Sequence, residues 1–169
     1  VEYREDHVLE WKLTRVFYSS QDKYPKLNLR FQMDDGNTVI YKTWLGKTIR
    51  NMLYKLSAPE KIDRVTLKAN WFDWKDKDGN PSLIRYVAVF VDWQKWDSPF
   101  DKDEPKIKPK VIESNWKFYG YDWDEVDKFI IEDLIPHIND KLVNKYEKKD
   151  EPSVPVERKN ENPEDVLPF

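Results

Sequence analysis

Residues 161–169, Glu-Asn-Pro-Glu-Asp-Val-Leu-Pro-Phe, set three carboxylates and no base beside an apolar Leu-Pro-Phe ending. Glu164 and Asp165 supply negative charge, and Pro168 and Phe169 supply a stiff apolar unit whose ring sits next to the main-chain carboxylate. Such a segment suits a basic, apolar-lined pocket: the ring fills the hole and the carboxylates meet Lys or Arg. A second chemical set lies mid-chain. The alternate positions Arg64, Thr66, Lys68, Asn70, Phe72 and Trp74, then Ile84, Tyr86, Ala88, Phe90, Asp92 and Gln94, interleave cations and amides with aromatic rings. Rings stack on nucleic-acid bases of any sequence, at about 1–3 kcal/mol each, while Lys and Arg track the phosphates. Arg30 and Gln32, with Lys42 and Trp44, repeat the mixture upstream.

Other chemistry is sparsely supplied. There is no cysteine, so disulfides, thiolate metal sites and a Cys nucleophile are excluded, and two histidines, His7 and His137, are too few for a His-based metal site. The four glycines are scattered, and Gly46-Lys47-Thr48 lacks the upstream glycine of a phosphate-binding loop. Asp73 and Asp92 have no nearby Lys in a nuclease-like pattern, and Asp122, Asp124 and Asp127 read as the solvated acidic face of one helix. No catalytic residue, metal ligand or cofactor is expected.

A chain of 169 residues fits one domain with extensions. The apolar share of 39% allows a core, and aromatics at 15% exceed what a core of this size ordinarily uses. The formal net charge of −3 is matched by the three acids of residues 161–169, which leaves residues 1–160 neutral overall and free to carry a basic patch. No apolar run approaches the ~18 residues of a membrane span, and no signal peptide is visible. The expectation is a soluble cytoplasmic protein without a membrane partner.

The elements that would position these residues follow from periodicity. Val8–Tyr18 reads as a strand with Leu9, Trp11, Leu13 and Phe17 on one face. Lys26–Met33 alternates with Leu27, Leu29, Phe31 and Met33 inward, turns at Asp34–Asn37, and returns as Thr38–Leu45. This pairing is expected to set Arg30 and Gln32 across from Lys42 and Trp44. Gly46–Ser57 has helical spacing at Ile49, Met52, Leu53 and Leu56, ended by Ala58-Pro59. Two long strands, Lys61–Trp74 and Ser82–Trp96, flank a turn that would pair Lys77 with Pro81. That register gathers Val65, Leu67, Ala69, Trp71, Val87, Val89, Val91 and Trp93 into the core and leaves the aromatic-basic set on the other face. A bland alternative buries Phe72, Trp74, Tyr86 and Phe90 beneath a later helix. Asp97–Lys110 reads as a loop whose Lys102, Lys106, Lys108 and Lys110 are either solvated or an arm over phosphates. Asp122–Tyr146 reads as a helix with an apolar stripe, which Pro136 kinks or splits. Residues 1–146 form the domain and 147–169 a flexible acidic tail.

Three strands, a short helix and two strands is the order of the OB-fold, a five-stranded Greek-key barrel with its helix between strands three and four. With the aromatic-basic faces and the acidic Pro-Phe ending, the chain resembles the single-stranded-DNA-binding proteins of phage and bacterial type. The resemblance covers residues 8–96 as a fold pattern and 161–169 as a motif. It implies non-catalytic coverage of single-stranded DNA during replication, recombination and repair. It also implies recruitment of partner enzymes through Glu164, Asp165, Pro168 and Phe169. The residues expected to contact DNA are Arg30, Lys42, Trp44, Arg64, Lys68, Phe72, Trp74, Tyr86 and Phe90. Val166-Leu167 interrupts the acid run, the Gly/Gln-rich linker of bacterial members is absent, and the C-terminal helix is extra. The oligomeric state, monomer or dimer, stays open. A peptide- or protein-interaction module is the rival reading, and a divalent-metal nuclease the third.

Overall fold

Alternating apolar and polar residues build most of this molecule. In a computed structural model, residues 8–20, 23, 25–100 and 107–146 are described, apart from the side chains of Trp71, Phe72 and Ile84. The tail residues Glu164, Asp165, Pro168 and Phe169, and Lys102 and Lys106, lie outside the described residues. The strands are β1 (Val8–Ser19), β2 (Lys26–Gln32), β3 (Thr38–Thr43), β4 (Arg64–Lys75), β5 (Pro81–Val91) and β6 (Gln94–Trp96). They form one antiparallel sheet in the order β3-β2-β1-β4-β5-β6. Helix α1 (Lys47–Leu56) falls between β3 and β4, as expected. A separate hairpin, β7 (Lys110–Ser114) and β8 (Lys117–Asp122), precedes α2 (Asp124–Phe129), a π-helical turn (Ile130–Leu134) and α3 (Ile135–Asp140). The chain is mainly β. Among the described residues no helix is long and apolar enough to cross a membrane.

The sheet has six strands and is open, where a five-stranded closed barrel was expected. The reason lies in α1. Its Lys55 Nζ donates to the Val87 carbonyl at 2.9 Å, and Thr48 Oγ1 approaches the Arg85 carbonyl at 3.5 Å. Helix side chains, not β3, thus meet this edge of β5.

All the helices pack on one face of the sheet. Leu9, Leu13, Val16, Leu27, Leu29, Phe31, Val65, Leu67, Val89 and Val91 form a single core with α1 and with Val126, Phe129, Ile130, Leu134 and Ile138. The alternative of a second core under the C-terminal helix is therefore overturned: that helix covers the Val65–Leu67 face. Asn139 fixes it by exchanging two hydrogen bonds with the backbone of Val16, at 2.7 and 2.8 Å. The helix expected over Asp122–Tyr146 is shorter, 124–140, and its backbone stays helical throughout; a π-helical turn sits just before Pro136, which lacks an amide hydrogen and crowds the preceding turn.

Four local expectations are corrected. A β-bulge between Leu13 and Arg15 reverses the alternation of β1, so Val16 enters the core and Phe17 faces outward. The β4–β5 register pairs Lys75 with Pro81, two residues from the expected match, because Lys77-Asp78-Gly79 forms a three-residue turn with Gly79 at φ 80°. A shift of two preserves parity, so the core face was chosen correctly. The long strand to Trp96 breaks at Asp92-Trp93, both at positive φ (48° and 69°), and Trp93 is exposed instead of buried. Finally, Lys42 lies across from Asn28, and Arg30 across from Ile40, because Asp34-Asp35-Gly36 closes the β2–β3 turn between Met33 and Asn37.

Candidate nucleic-acid interface

The face of the sheet away from the helices collects charge of one sign. Strand alternation assigns to it Lys12 and Arg15 from β1, Lys26 and Arg30 from β2, and Lys42 from β3. Arg64 and Lys68 of β4 and Lys95 of β6 join them. Against these cations the outward strand positions hold a single carboxylate, Glu10. Arg15 stands directly across from Arg30. Like charges so placed destabilise a sheet, and each arginine is partly offset by a ring, Phe17 beside Arg15 and Tyr146 beside Arg30. Aromatic surface is interleaved: the Arg15 guanidinium lies 4.6 Å from the Phe17 ring, and Lys26 Nζ lies 5.3 Å from the Trp44 ring.

The residues expected at the interface separate into groups. Lys42 and Lys68 are exposed on this face, 42 opposite Asn28 and 68 opposite Ala88. Arg30 is half-buried, with the Tyr146 ring 3.7 Å from its guanidinium. Arg64 is committed elsewhere. It binds Asp34 at 2.9 and 3.3 Å and Glu10 at 3.2 Å. Hydrogen bonding to Asp34, then to Glu10, raises its pKa further, and the same Arg64 hydrogen bond holds the Asp34 carboxyl below its ordinary range. Phe90 is half-buried. Trp74 is exposed but lies near the far end of β4, paired with Ser82. Six residues separate it from Lys68, about 20 Å of strand. The side chain of Phe72 lies outside the described residues.

Trp44 and Tyr86 come together elsewhere, at a cleft of about 560 Å³ between the end of β3, the start of α1 and β5. Leu9, Leu67 and Met52 are among its apolar lining, Tyr41 and Val87 add to it, and Thr43, Thr48 and Asn70 contribute polar groups. Lys47 and Arg85 also line it, and among the described residues no carboxylate does. The cleft exists because the sheet stays open.

Two features escaped sequence reasoning. Asp127 is no solvated acid: it pairs bidentately with Arg50 at 2.7 and 3.0 Å, and Arg50 also lies 4.3 Å from the Trp123 ring. The only signal was its place beside the apolar stripe. The β7–β8 hairpin was missed because its turn is Asn115-Trp116, both at positive φ (51° and 61°), where Asn-Gly is the usual signature. Trp116 is fully exposed, and Val111, Ile112, Phe118, Tyr119 and Tyr121 are about half exposed. Lys110 of the expected loop starts β7 and pairs with Glu125 at 2.6 Å, and Lys108 lies just before it.

Among the described residues no group of three or more His, Asp or Glu is placed to hold a metal ion. No family model, curated protein or solved structure matches this chain.

Proposed function

We propose that this protein binds single-stranded DNA without sequence specificity through the outer face of its sheet. It would protect the strand during replication, recombination and repair, and its acidic residues 161–169 would recruit partner enzymes. The observation that carries the reading is the outward row of cations with one glutamate among them, including two arginines face to face. Anionic phosphates would relieve that repulsion, and rings such as Phe17 and Trp44 would meet bases. The strand pairs β1–β2, β2–β3, β1–β4 and β4–β5, with a helix after β3, support an opened OB-like barrel in which α1 takes the place of the last strand contact.

The Trp44→Ala variant is expected to weaken binding of a short oligo-dT by about 1–3 kcal/mol, as measured by fluorescence titration. Trp74→Ala, about 20 Å along β4 from Lys68, should change it by less than about 1 kcal/mol for a strand too short to span that distance. Equal losses in the two variants would place the site along the whole hairpin. For the tail, a peptide of residues 161–169 should retain replication or recombination proteins in a pull-down, and the same peptide lacking Phe169 should not. Recovery of the same proteins by both would remove Phe169 as a recognition element. The second reading, a protein-interaction module, draws on the exposed apolar side chains of the β7–β8 hairpin, since exposed patches of this kind often mark protein contacts.

A further inference from the structure

The floor of the cleft beside α1 is the edge of the core, Leu9, Leu67 and Met52, and its rim carries a specific chemistry. Aromatic rings of Tyr41, Trp44 and Tyr86 and the aliphatic floor of Leu67 and Met52 suit a flat, largely apolar group. Thr43, Thr48 and Asn70 offer hydrogen-bonding groups to the edge of such a ring. Lys47 and Arg85, with no lining carboxylate among the described residues, attract an anion attached to it. A flat heteroaromatic ring with polar edges, carrying a phosphate, is a nucleotide. An apolar peptide side chain would use the floor but leave the Lys47 and Arg85 charges without an anion. Position supports the same occupant. Trp44 borders both regions: it lines the cleft, and Lys26, an outward-facing residue of β2, reaches over its ring at 5.3 Å. The cleft opens on the helix side of the sheet, so a strand lying on the basic face reaches its mouth by rounding the β3 edge at Trp44.

We infer that the cleft takes one nucleobase of the bound strand, with the adjoining phosphate at Lys47 and Arg85. This rests on the proposal that the outer face binds single-stranded DNA. The base leaves the sheet surface at Trp44 and is buried among Tyr41, Tyr86 and Met52, while its neighbours remain on the outer face. The strand is thereby fixed at one nucleotide instead of sliding freely over the cations.

Three measurements on the full chain test the inference. Ala69→Trp places an indole at a lining position of the cleft; it should lower affinity for dT oligomers about tenfold and leave the salt dependence unchanged, because no phosphate contact is lost. The Lys47→Glu/Arg85→Glu pair alters only the rim, so it tests the site even if the bulky variant fails to fold. It should lower affinity and reduce the slope of log K against log salt by about 1.4, two contacts at ~0.7 each. An oligo-dT carrying one 4-thiothymidine should photocross-link to peptides containing Met52, Tyr41 or Tyr86. Wild-type binding with undiminished affinity in both variants, or cross-links confined to the outer strands, overturns the cleft assignment and leaves the outer-face reading standing. Absence of oligo-dT binding by the wild-type chain overturns both. Saturable binding of the 161–169 peptide that depends on Lys47 and Arg85, with no nucleotide cross-link in the cleft, would reassign the cleft to an acidic peptide.

Discussion

Replacing Lys12, Arg15, Lys42 and Lys68 together by glutamine is expected to remove most affinity for single-stranded DNA. These four are exposed at outward positions on β1, β3 and β4. Arg64 is a poorer choice because Asp34 and Glu10 hold it, and Arg30 because Tyr146 covers it. If each of the four meets a phosphate, the slope of log K against log salt should flatten by about 2.8, at ~0.7 per contact. Affinity near 0.05 M salt should fall by roughly two orders of magnitude or more, with the gap closing as salt rises. Stability should hold or rise slightly, since the change removes the repulsion between Arg15 and Arg30. A control with the same loss of charge at Lys61, Lys75, Lys77 and Lys128, exposed residues away from this row of cations, separates a located face from net charge alone. Equal losses in the two variants would mean that the face has no special part in binding.

Asp127→Asn is expected to be the most destabilising single change at a charged residue. It strips the bidentate partner from Arg50, whose side chain is only 11% exposed, while the aspartate is 30% exposed. Removing one member of a buried pair strands the other charge in a poorly solvated place, at about 3–5 kcal/mol for full burial. Partial exposure of Asp127 brings the expectation to about 2 kcal/mol, because solvent screens part of the interaction. For a domain of this size, that is a fall in melting temperature of about 4–8 °C. Asp124→Asn, exposed three residues earlier on the same helix, should stay within about 0.5 kcal/mol. Thermal unfolding followed by circular dichroism makes the comparison. Equal melting temperatures for the two variants would show that the Arg50–Asp127 pair adds nothing to the fold.

Much of the sheet was legible in the sequence because burial on one face enforces a period of two. Leu27, Leu29 and Phe31, and Val65 and Leu67 against Val89 and Val91, could be placed before their strand partners were known. What escaped depended on single backbone irregularities. The bulge at Thr14 turned Phe17 outward, and no residue type announces it. The turns at Asp92-Trp93 and Asn115-Trp116 hold non-glycine residues in the left-handed region, at about 1–2 kcal/mol each, so the usual Gly signal is missing. The interface was legible only in part. Lys42 and Lys68 stand on the expected face, and alternation already set Lys12 and Lys26 opposite the apolar face, but Arg15 joins them only through the bulge between Leu13 and Arg15. Trp44 and Tyr86, read as members of a flat face, instead border a cleft that arises because α1 reaches the edge where a barrel would close.

The most direct measurement is a titration of the full chain with oligo-dT, following intrinsic tryptophan fluorescence across a salt series, with duplex of the same length alongside. Binding to the outer face and at Trp44 should quench the emission. The dissociation constant should rise linearly with salt on logarithmic axes, and duplex should bind less well at every salt concentration. Emission unchanged by oligo-dT at low salt, with no binding by an independent gel-shift assay, would contradict single-strand binding by this sheet.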